Sequence, residues 1–214
     1  MNTRNKKLIA RRLLTWFDNR GRKYPWRRTK DPYRIFVAET LLQKTNVEKV
    51  LPAYRILIKK YPNVKSLSQA NLKDLKRIVA PLGLIKRAGF LKRGAKEAVR
   101  NFKSKFPRTK NELKKIIGVG DYLAHAILSF CFGQKVPLVD TNVARVYSRI
   151  YNFKVSKLPY ADKKLWLFSA EMLPQQRFQE FNLALLDLSA LICRPRNPAC
   201  YQCPCQNLCF YSHR

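Results

Sequence analysis

Acidic residues are scarce: 13 Asp and Glu stand against 44 Lys and Arg in 214 residues, a formal charge of +31 at pH 7. That shortage argues against a hot-habitat surface as the source of the lysines, because such surfaces enrich Glu alongside Lys. Long apolar runs are also missing, which excludes a helix able to span a bilayer. The stretch from Met1 to Arg12 is charged and has neither the apolar segment nor the small-residue cleavage site of a secretory signal. An intracellular setting is therefore expected, where thiols stay reduced. In that setting the six cysteines read as ligands or buried thiols and not as disulfides. There is no convincing strand alternation, no long-period repeat and no obvious linker. The length suits one globular domain or two small ones sharing a core.

What is present points to a folded protein with a polyanionic partner. Apolar residues make up 46% of the chain, too many for a disordered basic tail. A positive surplus this large opposes compaction and is usually kept for a polyanion. Nucleic acid is the first candidate and an anionic membrane surface the second. The basic residues are interleaved with Tyr, Trp and Phe along the whole chain, which favours a folded nucleic-acid surface over a flexible arm. Apolar spacing is helical nearly throughout. Leu8, Ile9, Leu13, Trp16 and Phe17 mark a first helix, and Asp31-Pro32 opens a second with Asp as cap. Further helices are expected over Val47–Lys60, Asn71–Ala80, Ile85–Phe102, Thr109–Ile117, Tyr122–Phe132, Thr141–Tyr151, Tyr160–Met172 and Phe178–Ile192. The expected fold class is all-α.

Three constellations carry chemistry. Five cysteines crowd the stretch after Ile192, and four of them, Cys193, Cys200, Cys203 and Cys209, are spaced C-x6-C-x2-C-x5-C. Thiolates suit zinc or an iron–sulfur cluster, and either can replace a missing apolar core. With one short knuckle where structural zinc sites usually have two, the spacing favours a [4Fe–4S] cluster over zinc. Cys205 is read as a bystander and Cys131 as a small core residue. The second constellation is Gly118-Val119-Gly120, between two helical patterns. Its two glycines allow positive φ and leave amides bare at a helix start, an anion site suited to a DNA phosphate; an ordinary helix–helix turn is the alternative. The third is a pair of acids in unlike settings. Glu39 shares an apolar helix face with Ile35, Phe36 and Leu42, which favours keeping its proton. Asp140 precedes a helix N-terminus, which favours the charged form. Such a pair fits acid/base work on a glycosidic bond, although a plain N-cap and an ion-paired glutamate would read the same way.

Taken in this order, these pieces resemble the helix-hairpin-helix DNA glycosylases, which include endonuclease III, the MutY adenine glycosylases and the archaeal thymine mismatch glycosylases. The likeness rests most on the cysteine tail and on Gly118-Val119-Gly120 followed by Val139-Asp140-Thr141-Asn142-Val143-Ala144-Arg145-Val146. It rests also on Phe181-Asn182-Leu183-Ala184-Leu185-Leu186-Asp187-Leu188 and on Pro25-Trp26-Arg27 with Glu39-Thr40-Leu41-Leu42-Gln43-Lys44-Thr45. It implies a six-helix barrel lobe over residues 23–133, and a cluster lobe built from residues 1–22 and 134–214. DNA would lie in the cleft between lobes, with the target nucleotide flipped out of the stack. By the same resemblance Asp140 matches the essential aspartate, Gln43 and Lys44 match the segment inserted into the vacated stack, and Cys193, Cys200, Cys203 and Cys209 hold the [4Fe–4S] cluster. Tyr122 stands where strand-cutting relatives carry lysine. Because a Schiff base needs an amine, the expected product is an intact strand with an abasic site.

The resemblance narrows the substrate without closing it. MutY-type enzymes share the glutamate, but they normally have a Gly-Tyr-Tyr turn and a further domain after the cluster. Here the turn is Leu82-Gly83-Leu84-Ile85-Lys86 and the chain ends just beyond the cysteines, which favours removal of T or U opposite G. Adenine removal opposite G or 8-oxoguanine stays open, as does a non-catalytic DNA-binding module stabilised by a cluster. Ile117 departs from the family in replacing the proline usual before the hairpin glycine, which loosens the turn. The expected partner is double-stranded DNA with a mismatched or deaminated base, bound by a monomer with no membrane involved. The expected location is the cytoplasm, nucleoid-associated, of an archaeal or thermophilic prokaryote.

Overall fold

In the computed structural model, which describes residues 3–83 and 85–213, side-chain caps mark where most helices begin. α1 covers Thr3–Arg20. Asp31 opens α2 (Pro32–Leu42) by accepting the Tyr33 N–H at 2.9 Å, with Pro in the first turn where no donor is lost. Asn46, Asn63 and Asn71 do the same for α3 (Val47–Lys60), α4 (Val64–Gln69) and α5 (Leu72–Val79). α6 (Lys86–Phe102), α7 (Lys110–Leu113) and α8 (Asp121–Phe132) follow. Asp140 caps α9 (Thr141–Tyr151) and Asp162 caps α10 (Lys163–Met172); α11 runs Phe178–Leu191. Short 3-10 turns at Cys200–Gln202, Gln206–Leu208 and Phe210–His213 complete the tail. Among the described residues there is no strand, and the all-α class holds.

The chain forms two units. One consists of Tyr24–Phe132, the other of Met1–Lys23 with Gly133–Arg214. The first unit buries Phe36, Leu41, Leu57, Leu67, Leu75, Leu91, Leu113 and Ile116, from the inward stripes of α2 to α7 and the turn after α7. The second buries Leu13, Val143, Tyr147, Phe181, Leu185 and Leu188. An ion pair adds to that second core: the fully buried Asp187 accepts the Arg22 backbone N–H at 2.8 Å and its Nε at 2.7 Å, tying the end of α1 to α11. Among the described residues no helix is long and apolar enough to cross a membrane.

Three helical expectations change. α4 was not anticipated; its six residues are too short to show a period, and only the Asn63 capping box announces it. The helix expected over Thr109–Ile117 stops at Leu113, because the chain turns at once: Ile116 N–H reaches the Leu113 carbonyl and Val119 N–H the Ile116 carbonyl, each at 3.0 Å. The helix expected from Tyr160 begins at Lys163, since Asp162 withdraws from it to cap the Leu165 N–H at 3.1 Å.

Candidate active site

The hairpin between α7 and α8 is held from beneath by α6. Gly118 takes φ +88°, a region that disfavours side chains. Of the two glycines that allow such a conformation only Gly118 adopts it, and Gly120 does not; the single reversal at Gly118 suffices. Gly94 on α6 is required for a different reason: a Cβ there would stand 2.6 Å from the Ile117 carbonyl oxygen. Close approach lets Glu97, one turn further along α6, accept the Ile117 backbone N–H. Val119 is buried and its amide is spent inside the turn, while Gly120 is exposed. Tyr122 sits half-buried in the first turn of α8. Beside it Asp121 pairs with Lys110 at 2.9 Å and Lys114 at 3.0 Å. Partial burial pushes its carboxyl up, but hydrogen bonds from the two lysines outweigh that and hold it below the usual carboxylate range.

In the same unit α2 carries Glu39, buried at 8% exposure within a run of apolar side chains. One turn later the helix ends in Gln43 and Lys44, both exposed, with Gln43 as C-cap. Of the turn at Leu82–Lys86, Leu84 lies outside the described residues; Gly83 is left-handed at φ +77°.

Asp140 belongs to the other unit, at the mouth of α9. Its Oδ1 accepts the Asn142 N–H at 2.9 Å and the Val143 N–H at 2.7 Å, and its Oδ2 accepts the Asn142 side-chain amide at 3.0 Å. It is thus an N-cap, as sequence allowed, and still half-exposed. A carboxylate has about four acceptor positions, so a lone pair remains for a reactant. The network continues. Asn142 Oδ1 accepts from Arg145 Nη1 at 3.0 Å, and Arg145 Nε donates to the Cys193 carbonyl at 3.0 Å. Behind Asp140, the extended run from Val136 is pinned by Asn182 of α11, which is 1% exposed. Its Oδ1 accepts the Leu138 N–H at 3.2 Å and its Nδ2 donates to the Val136 carbonyl at 3.0 Å. Sequence reading assigned no role to Asn142, Arg145 or Asn182. The signal was available in Asn182, an amide in an otherwise apolar helix, where a buried polar group must have partners.

The tail brings Cys193, Cys200, Cys203 and Cys209 around one pocket, walled also by Ile150, Leu188 and Arg149. Cys205 does not line it; its side chain is fully buried in the core of this unit. Arg149 organises the rim, donating to the carbonyls of Arg194 at 2.7 Å and Pro195 at 3.0 Å and to Cys193 Sγ at 3.5 Å. Its guanidinium also stacks over Tyr211, 4.7 Å from the ring centre. A hydrogen bond from Cys205 holds the Cys203 thiol below the usual thiol range, while burial pushes Cys200 and Cys209 up. Among the described residues no three His, Cys, Asp or Glu converge closely enough to hold a single metal ion.

The profile of a family described as "HhH-GPD superfamily base excision DNA repair protein" matches residues 37–167. A thymine/uracil-DNA glycosylase of Pyrobaculum aerophilum is 36% identical, over 94% of this chain and 91% of that protein. An adenine DNA glycosylase of Buchnera aphidicola is also 36% identical, over 92% of this chain but 56% of its own length. The solved structure of a thermostable thymine-DNA glycosylase superposes with a TM-score of 0.91 at 31% identity, covering 98% of this chain and 97% of that one.

Proposed function

The chain belongs to the HhH-GPD superfamily of base excision DNA repair proteins, and we propose that it is a monofunctional DNA glycosylase removing T or U opposite G. The observation that carries the substrate is likeness to thymine-directed enzymes along nearly the whole chain, in sequence and in fold together. The reaction hydrolyses the N-glycosidic bond: water adds to the sugar carbon and the departing base takes a proton.

Each acid has a defined task in that hydrolysis. Asp140, fixed by two backbone amides and the Asn142 side chain, stabilises the oxocarbenium-like sugar and orients the attacking water. Glu39, in its apolar surroundings, supplies the proton to the leaving base. Tyr122 offers no amine, so the strand stays intact at the abasic product. The hairpin Gly118-Val119-Gly120 contacts the phosphate backbone through its half-exposed Gly118 and exposed Gly120, and Gln43 with Lys44 fills the space that the flipped nucleotide leaves. The protein acts as a monomer on duplex DNA.

Cys193, Cys200, Cys203 and Cys209 are suited to hold a [4Fe–4S] cluster. All four line one pocket, and their C-x6-C-x2-C-x5-C spacing, with a single short knuckle, favours this over a single zinc ion. When bound, the cluster would supply the core that the tail's own side chains cannot. Arg145 and Arg149 would then fix the loop's backbone beside α9.

A panel of duplexes tests the reading, each with one mismatch or damaged base, scored with and without alkali. Release of T from G·T with breakage only after alkali is expected. Release of A opposite G or 8-oxoguanine, with none of T, would establish the adenine reading, and no release from any duplex would leave a binding module.

A further inference from the structure

Lys44 adopts a left-handed backbone, φ +53°, although it carries a side chain. It does so in the exposed turn that closes α2. Such a conformation persists in a non-glycine residue when the surroundings hold it. On one side Thr45 does part of the holding: its N–H reaches the Leu42 carbonyl at 3.2 Å and its hydroxyl the Gln43 carbonyl at 3.3 Å. From inside, the turn is held by Arg87, in the first turn of α6. Arg87 is 2% exposed. Its Nη1 donates to the Leu41 carbonyl at 2.9 Å and its Nη2 to the Gln43 carbonyl. These carbonyls lie at the α2 C-terminus, where backbone donors run out.

The setting of Arg87 is unfavourable for stability alone. Among the described residues its Nε has no hydrogen-bond partner, and burial lowers the guanidinium's pKa. A methionine would fill similar space without burying a charge or leaving a donor unmet. What only the planar fork supplies is a two-pronged hold on two carbonyls of one turn.

We propose that Arg87 is a positioning residue for the Gln43–Lys44 turn, bracing it in the shape that enters the base stack when a nucleotide is extruded. This rests on the glycosylase reading above and on the insertion role given there to Gln43 and Lys44. Loss of the brace lets Lys44 relax out of its left-handed conformation and displaces both side chains. The penalty falls on breaking a base pair, not on cleaving the glycosidic bond.

The test compares wild type, Arg87→Met and Arg87→Lys on two duplexes, one with U opposite G and one with U opposite an abasic site. A 2-aminopurine beside the target reports unstacking. Arg87→Met should slow single-turnover release from U·G by about 100-fold, as misplacement on the ångström scale does, and from the unpaired U by no more than about threefold. The fluorescence rise on binding U·G should largely vanish. Arg87→Lys keeps the charge without the fork and should fall between the two; it decides the matter if Arg87→Met does not fold by circular dichroism. Equal losses on both duplexes, or an unchanged fluorescence rise, overturn the proposal. A wild type that releases no base at all counts against the glycosylase reading instead, and the fluorescence comparison still judges Arg87.

Discussion

The backbone N–H of Ile117 donates to the carboxylate of Glu97. In relatives with proline at this place there is no N–H to satisfy, and the ring itself stiffens the turn. Here Glu97 takes over that stiffening from α6. Glu97→Ala is therefore expected to weaken binding to undamaged duplex about tenfold, the scale of one charge-assisted hydrogen bond. In an Ile117→Pro background the same change should do almost nothing. Equal loss in both backgrounds, by equilibrium titration at fixed salt, contradicts the account.

Asp121 places a negative charge at the start of α8, where a phosphate is proposed to bind, and occupies Lys110 and Lys114. Asp121→Asn should tighten duplex binding and steepen its salt dependence by about one to two units of log–log slope as the lysines turn to phosphate. The same change should lower stability by about 0.3–1 kcal/mol through loss of a first-turn acid. The sign with pH follows from the depressed carboxyl: its stabilising contribution is present above the ordinary carboxylate pKa and is lost as pH falls through the lower folded value. Weaker binding by Asp121→Asn would refute this assignment.

Much of the site was legible because its chemistry is local in sequence. Asp140 with Thr141 is a cap followed by a helix, and the cysteine spacing spans one short tail. What could not be read depends on partners far along the chain. Glu97 meets Ile117 across 20 residues and Asn182 meets Leu138 across 44, and no periodicity encodes such pairs. The helix α7 was overdrawn for a related reason: the apolar residues Ile116 and Ile117 continue the pattern while the backbone is already turning toward Gly118. Arg87 would pass for one more surface cation in a chain of 44 Lys and Arg; only its burial distinguishes it.

Asn182 holds the segment that delivers Asp140, through Leu138 and Val136. Asn182→Leu keeps volume but leaves the buried Leu138 amide and the partly buried Val136 carbonyl without this partner, costing about 1–3 kcal/mol of stability. Single-turnover base release should fall about 100-fold while duplex binding changes little. An unchanged rate in a folded protein would show that Asp140 needs no such support.

Cys205 lies outside the cavity that the other four tail cysteines line. Cys205→Ser should keep the visible absorption of a bound cluster, with a modest loss of stability from burying a hydroxyl. Cys203→Ser should lose the absorption, and with it the protease resistance of the tail. Loss of absorption in Cys205→Ser alone would mean that the ligand set is wrong.

The most direct test of the central claim is single-turnover release of T from a G·T duplex by wild type and Asp140→Asn, with binding measured in parallel. The expected result is release by wild type, none detectable with Asp140→Asn, and comparable affinity for the same duplex. Release by Asp140→Asn at the wild-type rate would contradict the assignment of Asp140 and the mechanism built on it.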